Sequence, residues 1–433
     1  MASLKIIGGG LAGCEAAWQA AKRGIDVELW EMKPTKFSPA HSSPNLCELV
    51  CSNSLKGNGL DNACGLLKEE MRKIGSLVIE CADKTAVPAG GALAVDREKF
   101  SQAVTEKIKS CKNITVKEGV VNEINTDEFT IVATGPLTDG ALAEAISSLT
   151  GEDYFSFYDA AAPVVETESI DFDKVYKKAR YDKGTADYIN CPMNKDEYLA
   201  FYNALINAET APLHEHIDKP NVFEGCMPVE IMAKRGEDTL RYGPLKPKGL
   251  RDPKTGETPY AVVQLRQDNV EGTMYNMVGF QTNLKFGEQR RVFSMIPGLE
   301  NANFLRFGVM HRNTYINSPE VLESTFAMKK YPKIYFAGQI TGVEGYVESA
   351  ASGMMAGINA ARKIQGEEEI TQPSSTVTGA LSSYITKGAM KGSFQPMNAN
   401  FGIIEHSVGR IKGKKERYLA ISQEALSNLK IHI

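Results

Sequence analysis

Apolar and polar positions along this chain follow two periods, and the switches between them mark its organisation. A short apolar run, Leu4-Lys5-Ile6-Ile7, gives way to a glycine cluster and then to a helical stretch from Cys14 to Lys22. Gly24 closes that helix, and Ile25 to Trp30 reads as a second strand that delivers Glu31. Another short apolar strand, Thr130 to Ala133, ends in Thr134-Gly135-Pro136. After Pro332 a further strand, Ile334 to Ala337, feeds a glycine-rich turn and a helix near Val347 to Arg362. Between about 160 and 310 the character changes. Strand-like runs (Tyr260 to Arg266, Met274 to Gln281) alternate with turn clusters such as Asp252-Pro253-Lys254-Thr255-Gly256, the signature of antiparallel sheet with helices. The expected architecture is α/β: a Rossmann-like nucleotide-binding domain, residues 1–160 and 311–433, interrupted by a smaller α+β inserted domain, residues 161–310.

The first strand-turn-helix-strand unit carries chemistry. Gly8-Gly9-Gly10-Leu11-Ala12-Gly13 follows the strand and opens the helix. In such a fingerprint Gly8 makes the tight turn, Gly10 lets the backbone approach a pyrophosphate, and Gly13 lets helix and strand pack closely. The helix N-terminus offers free N–H groups and partial positive charge to phosphates. Glu31, about twenty residues on, is where a carboxylate accepts both ribose hydroxyls and disfavours an extra ribose phosphate. A second glycine-rich segment selects the cofactor. Gly338-Gln339 ends a late strand, and Gly342, Val343, Gly345 and Tyr346 lead into a second helix whose N-terminus suits the remaining phosphate and ribityl chain of a flavin. Thr134-Gly135 fits the same pattern. The expectation is FAD, in a fold of the glutathione-reductase type. No second full GxGxxG is present, so a reducing nicotinamide would visit transiently.

Composition narrows the class without changing this picture. Of 433 residues, 42% are hydrophobic and 24% charged, as in folded soluble proteins. No 18-residue apolar run or secretory leader pattern is seen, so no membrane association and a cytoplasmic location are expected. Eight cysteines are too sparse for a disulfide scaffold, and His214-Glu215-His216 does not have metal-site spacing, so no metal is expected. Two thiols sit in unusual company. Cys51 lies in a stretch without clean period, and Cys226 lies in the Gly/Pro-flanked Phe223-Glu224-Gly225-Cys226-Met227-Pro228. Each is either a reactive loop thiol or a small buried hydrophobe. The formal net charge of −4 gives no global sign of a nucleic-acid partner, but bases cluster locally. Lys234, Arg235, Arg241, Lys246, Lys248, Arg251 and Lys254 form one cluster; Lys285, Arg290, Arg291, Arg306 and Arg312 form another; and the tail adds Arg410, Lys412, Lys414, Lys415 and Arg417. These are solvated faces, or a surface that brings a phosphate-rich substrate to Cys226.

GGGLAGCEAA, ELVCSNSLKGN, VPAGGALAVDR, GEDYFSFYDAAAP, FEGCMPVEIMAKRG, VGFQTNLKFGEQRRVF, GVMHRNTYINSP, FAGQITGVEGYVESAASG and QPMNANFG follow in this order and are spread along nearly the whole chain. With these segments the chain resembles the folate- and FAD-dependent tRNA (uracil-5-)-methyltransferases, which form ribothymidine in the T loop of bacterial tRNA. It departs slightly at Cys14 and Cys47, where other small or aromatic residues are expected. The resemblance implies methylenetetrahydrofolate as one-carbon donor, FAD as carrier of that carbon and of electrons, and NADH or NADPH as reductant. It implies that a thiolate adds to uracil C6 to activate C5. The family's two functional cysteines match Cys51 and Cys226. Cys226, lying in the inserted domain with its basic clusters, is expected to be the nucleophile, with Cys51 assisting as proton acceptor or guard of the flavin adduct. Tyr346 is either a ring stacked on the flavin or folate or a core tyrosine. The target base must be flipped out of a folded loop. No obligate protein partner is expected. Three other readings remain: the longer FAD protein that modifies wobble uridine with the same folate carbon, a small-molecule flavin oxidoreductase, and a non-catalytic flavin-binding scaffold for RNA.

Overall fold

A computed structural model of the chain describes residues 3–151, 155–182, 184–211, 227–387 and 394–431. β1 (Leu4–Ile7), α1 (Leu11–Lys22) and β2 (Val27–Glu31) build the start of a five-stranded parallel sheet. Its order is Ile334–Phe336, Thr130–Val132, β1, β2, Ile114–Glu118. Successive side chains of each strand point to opposite faces, and both faces are covered. Ile6, Leu29 and Ile131 join the core beneath α1 and the Tyr346–Ile364 helix. Ile7, Val132, Ile334 and Phe336 join a second cluster with Leu142 and Ile146 of the Gly140–Thr150 helix.

Several expected boundaries shift, each for a local reason. α1 begins at Leu11 rather than Cys14 because Gly10 is its N-cap, so the fingerprint glycines already form the first turn. β2 begins at Val27 rather than Ile25, because the Ile25 N–H still bonds the Ala20 carbonyl at 3.2 Å as the helix closes. The strand expected over Met274 to Gln281 ends at Met277, before Gly279 takes a φ of 77°.

The chain leaves the parallel-sheet region through Phe155–Ala160 and returns through Met310–Tyr315, and these two strands pair antiparallel along their whole length. Between them lies a six-stranded antiparallel sheet, ordered Tyr176–Lys177, Ile189–Met193, Ala261–Gln267, Met274–Met277, Val164–Glu166, Phe304–Arg306. Period-two alternation turns Ile189, Cys191 and Met193, with Val263 and Leu265 beside them, onto one core. The Lys195–Ile206 helix covers it with Tyr198, Phe201 and Leu205, and starts on a capping box in which Asn194 and Glu197 satisfy each other's backbone N–H.

α1 packs on the Tyr346–Ile364 helix backbone to backbone. A Cβ at Gly353 would lie 2.1 Å from the Ala12 carbonyl oxygen, and one at Gly357 2.4 Å from that of Ala16. Beneath them a Cβ at Gly13 would lie 1.8 Å from the Gly8 carbonyl. Only glycine permits backbone to meet backbone here. Substituting Gly353→Ala should therefore lower unfolding free energy by about 1–3 kcal/mol through overpacking, read as an earlier urea midpoint. An unchanged midpoint would show that the helices can move apart freely.

Candidate functional site

The parallel sheet opens into a cleft of about 1420 Å³ at the carboxyl ends of its strands, counting its solvent-filled mouth. Ligands in open α/β sheets bind at this edge. Gly8, Gly9, Gly10, Leu11 and Ala12 form one wall, Glu31 the end of β2, Thr134 and Gly135 a second strand end, and Gly338, Gln339, Tyr346 and Ser349 a third. Gly8 turns the chain with a φ of 105°. Gly10 would carry any Cβ into open space, with nothing within 4 Å, so the turn presents bare backbone to the cleft. No side chain caps α1 and no acid lies in its first turn, which leaves the leading N–H groups and their partial positive charge available.

Glu31 is buried, and its carboxylate is held by backbone donors: the Gly9 N–H at 2.8 Å and the Lys33 N–H at 3.0 Å. The glycine turn is braced from behind as well. The Gly9 carbonyl accepts from the Cys47 N–H at 3.0 Å and from the Cys14 thiol at 3.3 Å. Both of these cysteines are fully buried beneath the turn, and burial pushes the Cys47 thiol up. These two unusual residues are props for the fingerprint.

Four residues singled out in the sequence stand behind the cleft wall. Gly13 packs against Gly8, and Gly342 against the Phe394 ring. Val343 is buried and bridges to Met397. Gly345 precedes the Tyr346–Ile364 helix with a φ of 124° and backs onto Glu348, whose carboxylate receives Lys56 at 3.1 Å. Further residues enter the cleft that local sequence did not signal: Met32, Lys33, Lys36, Val120 and Val121.

Tyr346 joins this cleft to Cys51. Its hydroxyl accepts from the Cys51 N–H at 2.7 Å and the Ser52 N–H at 3.2 Å. The Cys51 thiol itself donates to the Ala160 carbonyl at 3.6 Å and is half-buried. From the other side, Arg266 of the antiparallel sheet donates to Ser52 Oγ at 2.8 Å and to Asn53 Oδ1 at 2.9 and 3.1 Å. Asn53 in turn donates to the Val95 and Gln267 carbonyls. Arg97 pairs with Asp268 at 3.0 Å and donates to the Leu49 carbonyl at 2.8 Å. The Cys51 loop is thus a node where both sheets meet.

Burial sorts the thiols. It pushes Cys64 and Cys81 up to about 11 and Cys191 higher still, so these stay protonated and inert near neutral pH. Cys226 lies outside the described residues, as do His214 and His216. The flanks of that stretch are pinned close together: the Ala211 N–H bonds the Asn283 carbonyl and the Val229 N–H the Gln281 carbonyl, each at 2.7 Å. Part of the first basic cluster is spent internally. Arg241 pairs with Asp238 and lies 3.5 Å over the Tyr260 ring, and Lys254 donates to the Phe172 and Asp173 carbonyls.

A Rossmann-like sheet with a bare glycine turn, a strand-end glutamate and a second helix N-terminus defines a dinucleotide-binding protein of the flavoprotein type. The family model described as glucose inhibited division protein A matches residues 3–368. GidA of Aquifex aeolicus in its form II crystal superposes with a TM-score of 0.71 at 16% identity, over 99% of this chain and 72% of that one. At that identity the likeness establishes the fold. Relatives in sequence are much nearer. The methylenetetrahydrofolate–tRNA-(uracil-5-)-methyltransferase TrmFO of Acetivibrio thermocellus is 62% identical over 99% of this chain and 98% of its own length. That of Lactobacillus gasseri is 60% identical over 99% and 97%, and that of Bacillus pumilus 58% over 98% and 98%. The chain belongs to the family of methylenetetrahydrofolate–tRNA-(uracil-5-)-methyltransferases.

The Tyr346 hydroxyl supplies a direct test of the node. Tyr346→Phe leaves the Cys51 and Ser52 N–H groups without their acceptor, a loss of about 1–3 kcal/mol if they stay buried. Amide exchange in the peptide spanning 49–55 should accelerate while exchange in α1 does not. Equal exchange in wild type and variant would mean that the phenol does not hold the loop.

Proposed function

We propose that the protein transfers a one-carbon unit from methylenetetrahydrofolate to C5 of a uracil in the T loop of tRNA, with FAD in the cleft and NADH or NADPH as reductant. The observation that carries this reading is the Tyr346 hydroxyl, which joins the wall of a dinucleotide-type cleft to the loop bearing Cys51. An oxidoreductase of small molecules has no use for that junction.

The cleft residues fit FAD. The open space at Gly10 accommodates a pyrophosphate against backbone, and the uncapped N-terminus of α1 supplies donors to it. Glu31 keeps lone pairs for ribose hydroxyls beyond those taken by Gly9 and Lys33. Gly338, Gln339 and the start of the Tyr346–Ile364 helix would receive the second phosphate and ribityl chain. When bound, FAD supplies the carriage of electrons and of the one-carbon unit.

The protein's own groups do the rest. Cys226 is the proposed nucleophile: its thiolate forms a bond to uracil C6, and the ring electrons move to C5, which becomes nucleophilic. Once C5 carries its new carbon, loss of the C5 proton and departure of the thiolate restore the double bond. Cys51, whose N–H Tyr346 holds and whose neighbours Ser52 and Asn53 Arg266 holds, is the proposed acceptor of that proton. Residues 1–160 and 311–433 would serve as the FAD-binding part and residues 161–310 would present the RNA. A tRNA substrate puts this activity in the cytoplasm.

The deciding experiment incubates purified protein with unmodified tRNA transcript, labelled methylenetetrahydrofolate and NADPH or NADH, and maps the label. Label at C5 of a T-loop uracil is expected. No label there overturns the reading, and label on a wobble uridine transfers the assignment to the alternative RNA modification. Cys226→Ala should abolish transfer and any covalent RNA adduct while the yellow flavin stays bound; retained turnover would remove Cys226 from its role. Glu31→Ala should weaken FAD retention by at least about tenfold, the effect of losing a charged hydrogen-bond acceptor, measured by flavin release on dilution. Flavin held as tightly as in wild type would place the adenosine ribose elsewhere.

A further inference from the structure

One aromatic ladder on the antiparallel sheet ends in water. Phe280 meets Phe293 edge-on at 5.2 Å, and Phe293 lies 6.4 Å from Phe304, all within the core. From there the rings turn parallel. Phe304 and Phe307 lie 5.7 Å apart with planes at 17°, and Phe307 and Phe286 lie 4.9 Å apart at 15°. Phe286 is the outermost ring and is 55% exposed. It sits in the first turn of the Phe286–Phe293 helix, so its neighbours in the ladder fix its plane.

The charges around it differ in how they are used. Lys285 pairs with Glu209, and Arg291 with Glu288. Arg290 is exposed and forms no ion pair among the described residues; its guanidinium lies 5.7 Å from the Phe307 ring centroid. A parallel stack with an exposed outer ring, beside an arginine that no carboxylate neutralises among the described residues, is an arrangement suited to a nucleobase and its phosphate. The platform also has a telling position. The backbone that anchors Ala211 and Val229, at Gln281 and Asn283, leads directly into it.

We propose that Phe286 is a stacking platform for an unpaired base of the tRNA, with Arg290 contacting the phosphate beside it. This rests on the tRNA reading above and extends it to a specific contact. Flipping a target uracil out of a folded loop leaves neighbouring bases without their stacking partners. A flat apolar ring receives any of the four bases, so the contact adds affinity without sequence preference, as stacking surfaces for single strands do. The alternative occupant of an exposed aromatic is a second copy of this chain; Arg290, the one of the three neighbouring cations without a carboxylate partner among the described residues, favours the nucleic acid.

The two residues should separate by salt. Binding of unmodified tRNA to Phe286→Ala should weaken roughly tenfold at constant salt slope, because stacking releases no counterions. Arg290→Gln should instead reduce the slope of log affinity against log salt by about one. Phe286→Trp should keep near-native affinity, and its emission, above the background of Trp18 and Trp30, should be quenched by tRNA. Because the ring is at the surface, thermal melting of each variant serves as the control for folding. Native affinity in Phe286→Ala, or Trp emission indifferent to saturating tRNA, would overturn the platform even if wild-type enzyme methylates the T loop. A wild-type protein that neither binds nor methylates tRNA would instead overturn the functional reading itself. A change in oligomeric mass of Phe286→Ala in the absence of tRNA, with tRNA affinity intact, would reassign the ring to self-association.

Discussion

Everything at the cleft depends on two helices meeting backbone to backbone. α1 and the Tyr346–Ile364 helix each aim an N-terminus at the same opening, and the distance between those ends is set by the contact of Gly353 and Gly357 with the carbonyls of Ala12 and Ala16. A side chain at that seam would spread the helices by more than an ångström, which is large against hydrogen-bond tolerances. The cofactor proposed here is long and doubly anchored, so its two grips must hold a fixed spacing. Small residues at this crossing are therefore a constraint of reach as much as of packing density.

The features legible in sequence were the local ones. Gly8 to Gly13, the strand before them and Glu31 after them lie within a single supersecondary unit, where spacing alone determines geometry. The period-two runs of the antiparallel sheet were visible for the same reason, although Met274 to Gln281 overran its true end at Met277 because a turn glycine at 279 does not announce itself within an apolar run. What local reading could not supply were contacts between residues hundreds of positions apart. Nothing near Cys51 foretells that Tyr346 will hold its N–H, or that Arg266 will clasp Ser52 and Asn53. The clue that existed was weak: a polar, aperiodic stretch around residue 51 in a protein whose other strands are regular. The fold class is confirmed by its kinship; which groups act on substrate rests on such distant contacts.

The polar knot around Cys51 also explains the choice of residue types there. Asn53 is fully buried, and a buried amide must satisfy both its donor and acceptor ends. It does so between the Val95 and Gln267 carbonyls on one end and the Arg266 guanidinium on the other. Aspartate in its place would present a carbonyl lone pair with another, and leucine would strand the guanidinium. Burial lowers the affinity of Arg266 for its proton, yet the guanidinium remains a cation in all ordinary conditions. The loop therefore rests beside a permanent positive charge whose nearest direct partners are neutral oxygens.

That knot has a mechanical meaning. The Cys51 loop is tied on one side to a helix of the parallel sheet by Tyr346 and on the other to the middle of the antiparallel sheet by Arg266. Arg97–Asp268 and the Asp96 contact to the Val270 N–H tie the same two regions beside it, so the loop sits within a seam of polar bonds between the sheets. The address of the Cys51 thiol is therefore written in Tyr346 and Arg266, residues far from it along the chain, more than in the loop that carries it.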